Sequence, residues 1–256
     1  MAYFRRQGPV TYEATELTGG AWREDEQHIA PALGLLVHAV ELDRRRRRQD
    51  EYVVGRLAYD IFGTVPVDVV ETEVQVIRRG RTIELVEARL THGARTIVEL
   101  RAWLMEPRDT SEIAGTPVPT LPAPGELTAW SPSEYWPGGF IGSVELRRHL
   151  EEPGRGWFWA CTSVPLVEEE PVSATARAAG LFDIANGMVM RADPAKVHFP
   201  NIDLTAHLLR EPQGDWLGFD TAVTFGDTGV GVTSTRLHDD RGPLGSIEQC
   251  VTIRPR

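Results

Sequence analysis

Alternation of apolar and polar positions organises most of the chain. Val53 to Ile61, Val67 to Arg78, Thr82 to His92 and Arg95 to Met105 are rich in β-branched residues. Short turns such as Arg79-Gly80 and His92-Gly93 separate them, which predicts an antiparallel meander. A comparable set lies further on: Phe140 to Leu150 and Gly156 to Leu166 read as a hairpin through Pro153-Gly154. Ile202 to Leu209, Trp216 to Phe225, Gly229 to His238 and Leu244 to Ile253 read as a second meander. Each meander follows a stripe of helical period. Leu33, Leu36, Val37 and Val40 form the first; Ala174, Ala178, Leu181, Ala185 and Met188, behind the N-cap residue Ser173, form the second. Between the sets, Pro107, Pro117, Pro119, Pro122, Pro124, Pro132 and Pro137 interrupt any periodicity. The expected organisation is an N-terminal unit over 1–106, a Pro-rich linker over 107–138 and a C-terminal unit over 139–256.

The two units share more than element order. Setting Gly34-Leu35 on Gly180-Leu181 takes a shift of 146 residues, and setting Arg89-Leu90 on Arg236-Leu237 takes 147, so helix and meander fall into register together. One extra pair of residues at the Asp239 to Gly242 turn then brings Val98 onto Ile247. A meander wrapped around a single long helix is a hotdog, and two in tandem give an α+β double hotdog. A tandem α+β protein of another topology is the alternative.

The repeat is an internal control on what packing alone requires. Asp183 falls in the second helix where the first unit has Val37. Gln249 falls in the inward alternation Ile247, Gln249, Val251, Ile253, where the first unit has Leu100 between Val98 and Ala102. Asn201 maps onto Val54, and Thr205, read on the same side of that strand, onto Ala58. A polar group where an apolar one suffices costs about 1–3 kcal/mol if buried without a partner, so these exchanges point to a site. Gly180, with Ala176, Ala179 and Gly187, shares the Asp183 face and leaves room for a ligand or a closely packed chain. The plainer alternative has Asp183 facing solvent and Gln249 bonded to backbone.

Composition narrows the classes. With 27 basic against 37 acidic residues, the 256-residue chain carries a formal charge of −10, and no half has the basic surplus that nucleic-acid binding requires. The basic residues are almost all arginine, Lys196 being the one lysine. No long apolar run predicts a signal peptide or a membrane span, and Cys161 and Cys250 are too few and too far apart for a disulfide framework, so a cytoplasmic protein is expected. A G-x-S-x-G elbow, H-E-x-x-H, C-x-x-C and G-x-G-x-x-G are all missing, so neither a serine nucleophile, a metal nor another cofactor is expected.

The run from Gln27 to Leu36, Phe182-Asp183, Phe199 to Thr205 and Ile247-Glu248-Gln249, taken in order and spacing, resemble the bacterial acyl-CoA thioesterase II family, in particular its actinobacterial thioesterase-like members. The likeness spans nearly the whole chain. It implies a double hotdog that hydrolyses fatty acyl-CoA thioesters, with a water-activating triad of aspartate, a hydroxyl residue and glutamine in the second hotdog. Asp183 and Gln249 match two of its members. The hydroxyl position, before Ile202-Asp203, holds Asn201, with Thr205 two side chains further along. The acyl tail is expected between the hotdogs, with Val37, Val54 and Leu100 as lining.

Three further readings accompany the resemblance. Arg44 to Arg48 either complement the negative end of the first helix or dock the phosphates of a carrier such as coenzyme A. A noncatalytic acyl-CoA or lipid-binding hotdog is the alternative function. A hydratase of this fold resembles an aspartate and histidine pair on the helix, and no histidine follows Asp183 on its helix. Trp103 or Trp216 on an exposed sheet face would suit pairing with a second copy, so a homo-oligomer is expected.

Overall fold

The computed structural model describes residues 1–20 and 22–256. Its first half comprises β1 (Phe4–Arg6), β2 (Thr11–Ala14), α1 (Ile29–Arg47), β3 (Val53–Ile61), β4 (Val69–Arg78), β5 (Ile83–His92) and β6 (Arg95–Met105). The remainder comprises β7 (Thr128–Ala129), α2 (Gly139–Gly142), β8 (Glu145–Glu152), β9 (Arg155–Cys161), α3 (Ala174–Ala179), α4 (Ala185–Met188), β10 (Val197–His198), β11 (Asp203–Leu208), β12 (Leu217–Phe225), β13 (Val230–Asp239), β14 (Gly242–Thr252) and β15 (Arg254–Pro255). Thirteen strands form one sheet in the order β1-β2-β4-β5-β6-β3-β11-β14-β13-β12-β9-β8-β7, and β10 pairs with β15 separately. Each half-sheet wraps helical segments, the double hotdog that the repeat predicts. Among the described residues no helix is long and apolar enough to cross a membrane.

The halves meet where β3 pairs antiparallel with β11, and Thr205 lies directly opposite Ala58, its own counterpart in the first half. The pair therefore sits on a pseudo-two-fold axis. A constant shift of 147 residues carries β5 and β6 onto β13 and β14, including the register break between Leu90 and Thr91, which recurs between Leu237 and His238. The extra pair of residues expected at the Asp239 to Gly242 turn is absent, because both hairpins close through two residues. Leu100 consequently corresponds to Ile247, and the counterpart of Gln249 is Ala102.

Helix α1 is buried on nearly every side, since the first half-sheet covers one flank and the second half's helices the other. The second helix departs from expectation. A continuous run over 174–188 is replaced by α3, a 3₁₀ turn over Phe182–Ile184 and α4. Glycine weakens a helix interior by about 1 kcal/mol, and at Gly180 the chain tightens, with the Leu181 amide donating to the Ala178 carbonyl three residues back. Ser173 caps α3 as predicted, its Oγ accepting from the Ala176 amide at 3.0 Å.

The same glycine meets its counterpart across the axis. A Cβ on Gly34 would stand 2.7 Å from the Ala176 carbonyl oxygen and 2.9 Å from the Gly180 nitrogen. Gly180 thus belongs to the helix crossing. Gly34→Ala gains about 1 kcal/mol in helix propensity but forces backbone against backbone, and overpacking of this kind costs about 1–3 kcal/mol. Net destabilisation is expected in urea unfolding; a stabilised variant would contradict the close crossing.

Candidate active site

Asp183 sits in the 3₁₀ turn, 7% exposed, and its Oδ1 accepts two side-chain amides: Asn201 Nδ2 at 2.7 Å and Gln249 Nε2 at 3.2 Å. The described residues give Oδ2 no hydrogen bond. Three of the four residues that the repeat singled out therefore converge, one from the helix break, one from the approach to β11 and one from β14. Burial pushes the Asp183 carboxyl up to about 7, against the two amide bonds, which favour its charged form.

Asn201 reaches this corner through a slip in strand pairing. Thr205 pairs with Glu248, but Asn201 bridges Val251, one residue out of the register that Thr205 sets. A one-residue slip turns a side chain to the opposite face. Asn201 accordingly joins Val251 on the inner face, while Thr205 shares the outer face with Glu248 and Ala58. Thr205 is no part of the Asp183 group. The first half breaks register at the same place, between Val54 and Arg56, which confirms Val54 as the counterpart of Asn201. Asn201 Nδ2 is also held by the Asp203 carbonyl at 3.0 Å, and Asp203 Oδ1 accepts the Cys250 amide at 2.6 Å, so the asparagine is anchored from beside Gln249.

One neighbour escaped the sequence reading. Thr233 pairs across the sheet with Gln249 and is fully buried; its hydroxyl and Gln249 Oε1 both lack a partner among the described residues. Its counterpart is Val86. The shift of 147 residues that sets Arg89-Leu90 on Arg236-Leu237 also sets Thr233 on Val86, a further exchange of an apolar for a polar residue.

The Asp183 group opens on a cleft of about 310 Å³ walled by both halves. The first half supplies Trp22, His28 and Ile29 at the start of α1 and Ile61 to Thr64 after β3; the second supplies Ile141, Ile184, Met188 and Phe199 to Ile202. Trp136, from the Pro-rich segment, closes one side, its Nε1 donating to the Gly187 carbonyl at 3.0 Å. Val37, Val54 and Leu100 do not line this cleft. They are buried in the apolar core instead. His28 caps α1, its Nδ1 accepting the Ala30 amide, and burial holds its pKa near 3, so the ring stays neutral. The arginine run lies at the other end of α1, about 27 Å away at 1.5 Å per residue. Arg44 and Arg48 pair with Asp50, Arg45 with Glu41, and Arg47 with Asp43 and Glu84.

Solved structures share this architecture end to end. A hot dog fold protein of unknown function from Alicyclobacillus acidocaldarius superposes with a TM-score of 0.76 at 13% identity, over 98% of this chain and 95% of that one. The acyl-CoA thioesterase II TesB2 of Mycobacterium marinum gives 0.69 at 14% identity, over 99% and 96%. The tesB protein of Mycobacterium avium subspecies paratuberculosis gives 0.69 at 15%, over 98% and 96%. These likenesses establish the fold. No curated protein matches the sequence significantly. Residues 18–105 match the N-terminal domain of acyl-CoA thioesterases and residues 116–253 the C-terminal domain. The chain belongs to the acyl-CoA thioesterase family, and it is a thioester hydrolase.

The raised Asp183 pKa has a consequence for stability. An unfolded aspartate ionises near 3.9, so the folded protein holds this proton where the unfolded chain has lost it. Stability from this group is complete below about pH 4 and is lost as pH rises through about 7. Asp183→Asn, which keeps an oxygen for the two amides, is expected to melt higher than wild type at pH 8, with the difference vanishing near pH 4. Equal melting temperatures at both pH values would contradict the buried, proton-retaining carboxyl.

Proposed function

We propose that the chain hydrolyses acyl-CoA thioesters with a water activated by Asp183, the carboxylate held by Asn201 and Gln249. The observation that carries this reading is a buried carboxylate with one oxygen tied to two amides and facing a cleft, where burial pushes its pKa up to about 7. A general base serves best when its pKa lies near the working pH.

As the water oxygen bonds to the thioester carbon, its proton passes to Asp183 Oδ2 and the carbonyl electron pair moves onto oxygen. Collapse re-forms the carbonyl and breaks the carbon–sulfur bond, and the departing thiolate takes the proton back from Asp183. The products are a free acid and the CoA thiol. Negative charge on the carbonyl oxygen needs a donor. At the start of α1 the Ala30 amide is taken by His28 and Pro31 has none, which leaves the Ile29 N–H, at the positive end of a 19-residue helix, for that oxygen. Ile61, Ile141, Ile184, Met188 and Phe199 offer the apolar wall that an acyl chain requires.

Asn201 here makes the bond to Asp183 that a hydroxyl would make, so its presence is compatible with turnover. Free-thiol release from short, medium and long acyl-CoAs tests the reading. Asp183→Asn should lose about a hundredfold to ten-thousandfold in kcat, and Gln249→Ala and Asn201→Ala about tenfold each. Wild-type kcat/KM should fall below about pH 7 as Asp183 takes up its proton. Saturable binding of every acyl-CoA without turnover would favour the noncatalytic binding module instead.

A further inference from the structure

If acyl-CoA enters this cleft, its nucleotide must be met by positive charge, and the arginine run at the end of α1 is both distant and already ion-paired. The rim of the cleft carries another cluster. Strand β10 pairs with β15, His198 opposite Arg254, and the Arg256 amide donates to the Lys196 carbonyl at 2.9 Å. This short ribbon brings Lys196, Arg254 and Arg256 together. All three are exposed, and among the described residues none has a carboxylate oxygen within 4.0 Å. Most other arginines of this acidic chain have such a partner. The nearby Asp193 is occupied in its own turn, accepting the Ala195 amide at 2.9 Å.

The ribbon is continuous with the site. Phe199, Pro200 and Asn201, which follow His198, line the cleft, and the His198 ring packs 5.1 Å from that of Trp22 in the opposite wall. Asn201 lies three residues beyond His198, about 10 Å along an extended chain, which is within the reach of a pantetheine arm running from thioester to pyrophosphate. Slight burial and the charges of Arg256 and Arg254 keep His198 below its ordinary pKa.

We propose that the β10–β15 ribbon docks the phosphates of coenzyme A, with Lys196, Arg254 and Arg256 as the phosphate contacts. Guanidinium groups pair with phosphate oxygens in a two-point fork, and a basic patch beside the cleft on a chain of formal charge −10 draws an anionic substrate toward the cleft mouth. The assignment rests on the thioesterase reading for its substrate, but not for its test.

The test pairs a binding and a kinetic measurement on wild type and on Lys196→Ala/Arg254→Ala, with Arg46→Ala at the far end of α1 as a control away from the cleft. Calorimetry with adenosine 3′,5′-bisphosphate should show salt-sensitive binding that weakens at least about tenfold in the double variant and is unchanged in Arg46→Ala. With acyl-CoA, KM should rise about tenfold at unchanged kcat, whereas the matching acyl-pantetheine, which lacks the nucleotide, should be hydrolysed equally by both proteins. Undiminished bisphosphate binding, or equal losses on both thioesters, overturns the docking assignment. Binding that depends on the ribbon in a protein that hydrolyses neither thioester would sustain the docking and refute the proposed reaction.

Discussion

The antiparallel seam between β3 and β11 is the constraint on which the rest of the molecule depends. It places the strand that opens each meander beside the other's, with Ala58 opposite Thr205, and the crossing of Gly34 on Gly180 fixes the helices above it. Because side chains alternate along a strand, a slip of one residue at this seam would exchange inner and outer faces across the whole join. The cleft is assembled across that seam. One half gives the start of α1 and the loop after β3, the other the carboxylate and its amides, so neither half encloses the site alone.

Two-fold repetition also divides labour. On one side of the axis Val37, Val54, Val86 and Ala102 pack as ordinary core; on the other Asp183, Asn201, Thr233 and Gln249 occupy the corresponding places. Burying a carboxylate is expensive unless hydrogen bonds and a shifted pKa absorb the cost, and here both operate. Polar orphans remain next to it, on Gln249 and Thr233. A molecule can tolerate such a region when the equivalent places in the half fused to it are filled by apolar residues, since sites of function commonly give up stability that the scaffold must supply.

Much of this was legible in the sequence because the signals were local. Period-two alternation and glycine turns marked the strands of both meanders to within a few residues, and the stripe from Leu33 to Val40 marked α1. Asp183, Asn201 and Gln249 could be found because they broke an apolar pattern that the other half kept. What escaped depended on geometry between elements. The bulge before β11 separates Asn201 from Thr205, although strict alternation puts them on one face. The break in the second helix follows from Gly180 meeting Gly34, a contact between residues far apart in the chain. The insertion that would set Leu100 on Gln249 does not exist, because both hairpins close through two residues, a matter of turn geometry rather than of pattern.

The ends of the sheet have a consequence of a different kind. A sheet thirteen strands wide would ordinarily present two long rows of free amides and carbonyls, each a template for another chain. Here one rim is β1, three residues long, and the other is β7, only two. The strands with the longest ladders, β6 and β14, lie well inside. These caps are partial, since β2 pairs with only Val69 to Glu71 of the ten-residue β4 and β7 with only Arg147 and Arg148 of the eight-residue β8. The rows left over carry Glu73, Arg78, Glu151 and Glu152, and charged side chains of this kind oppose the addition of another strand.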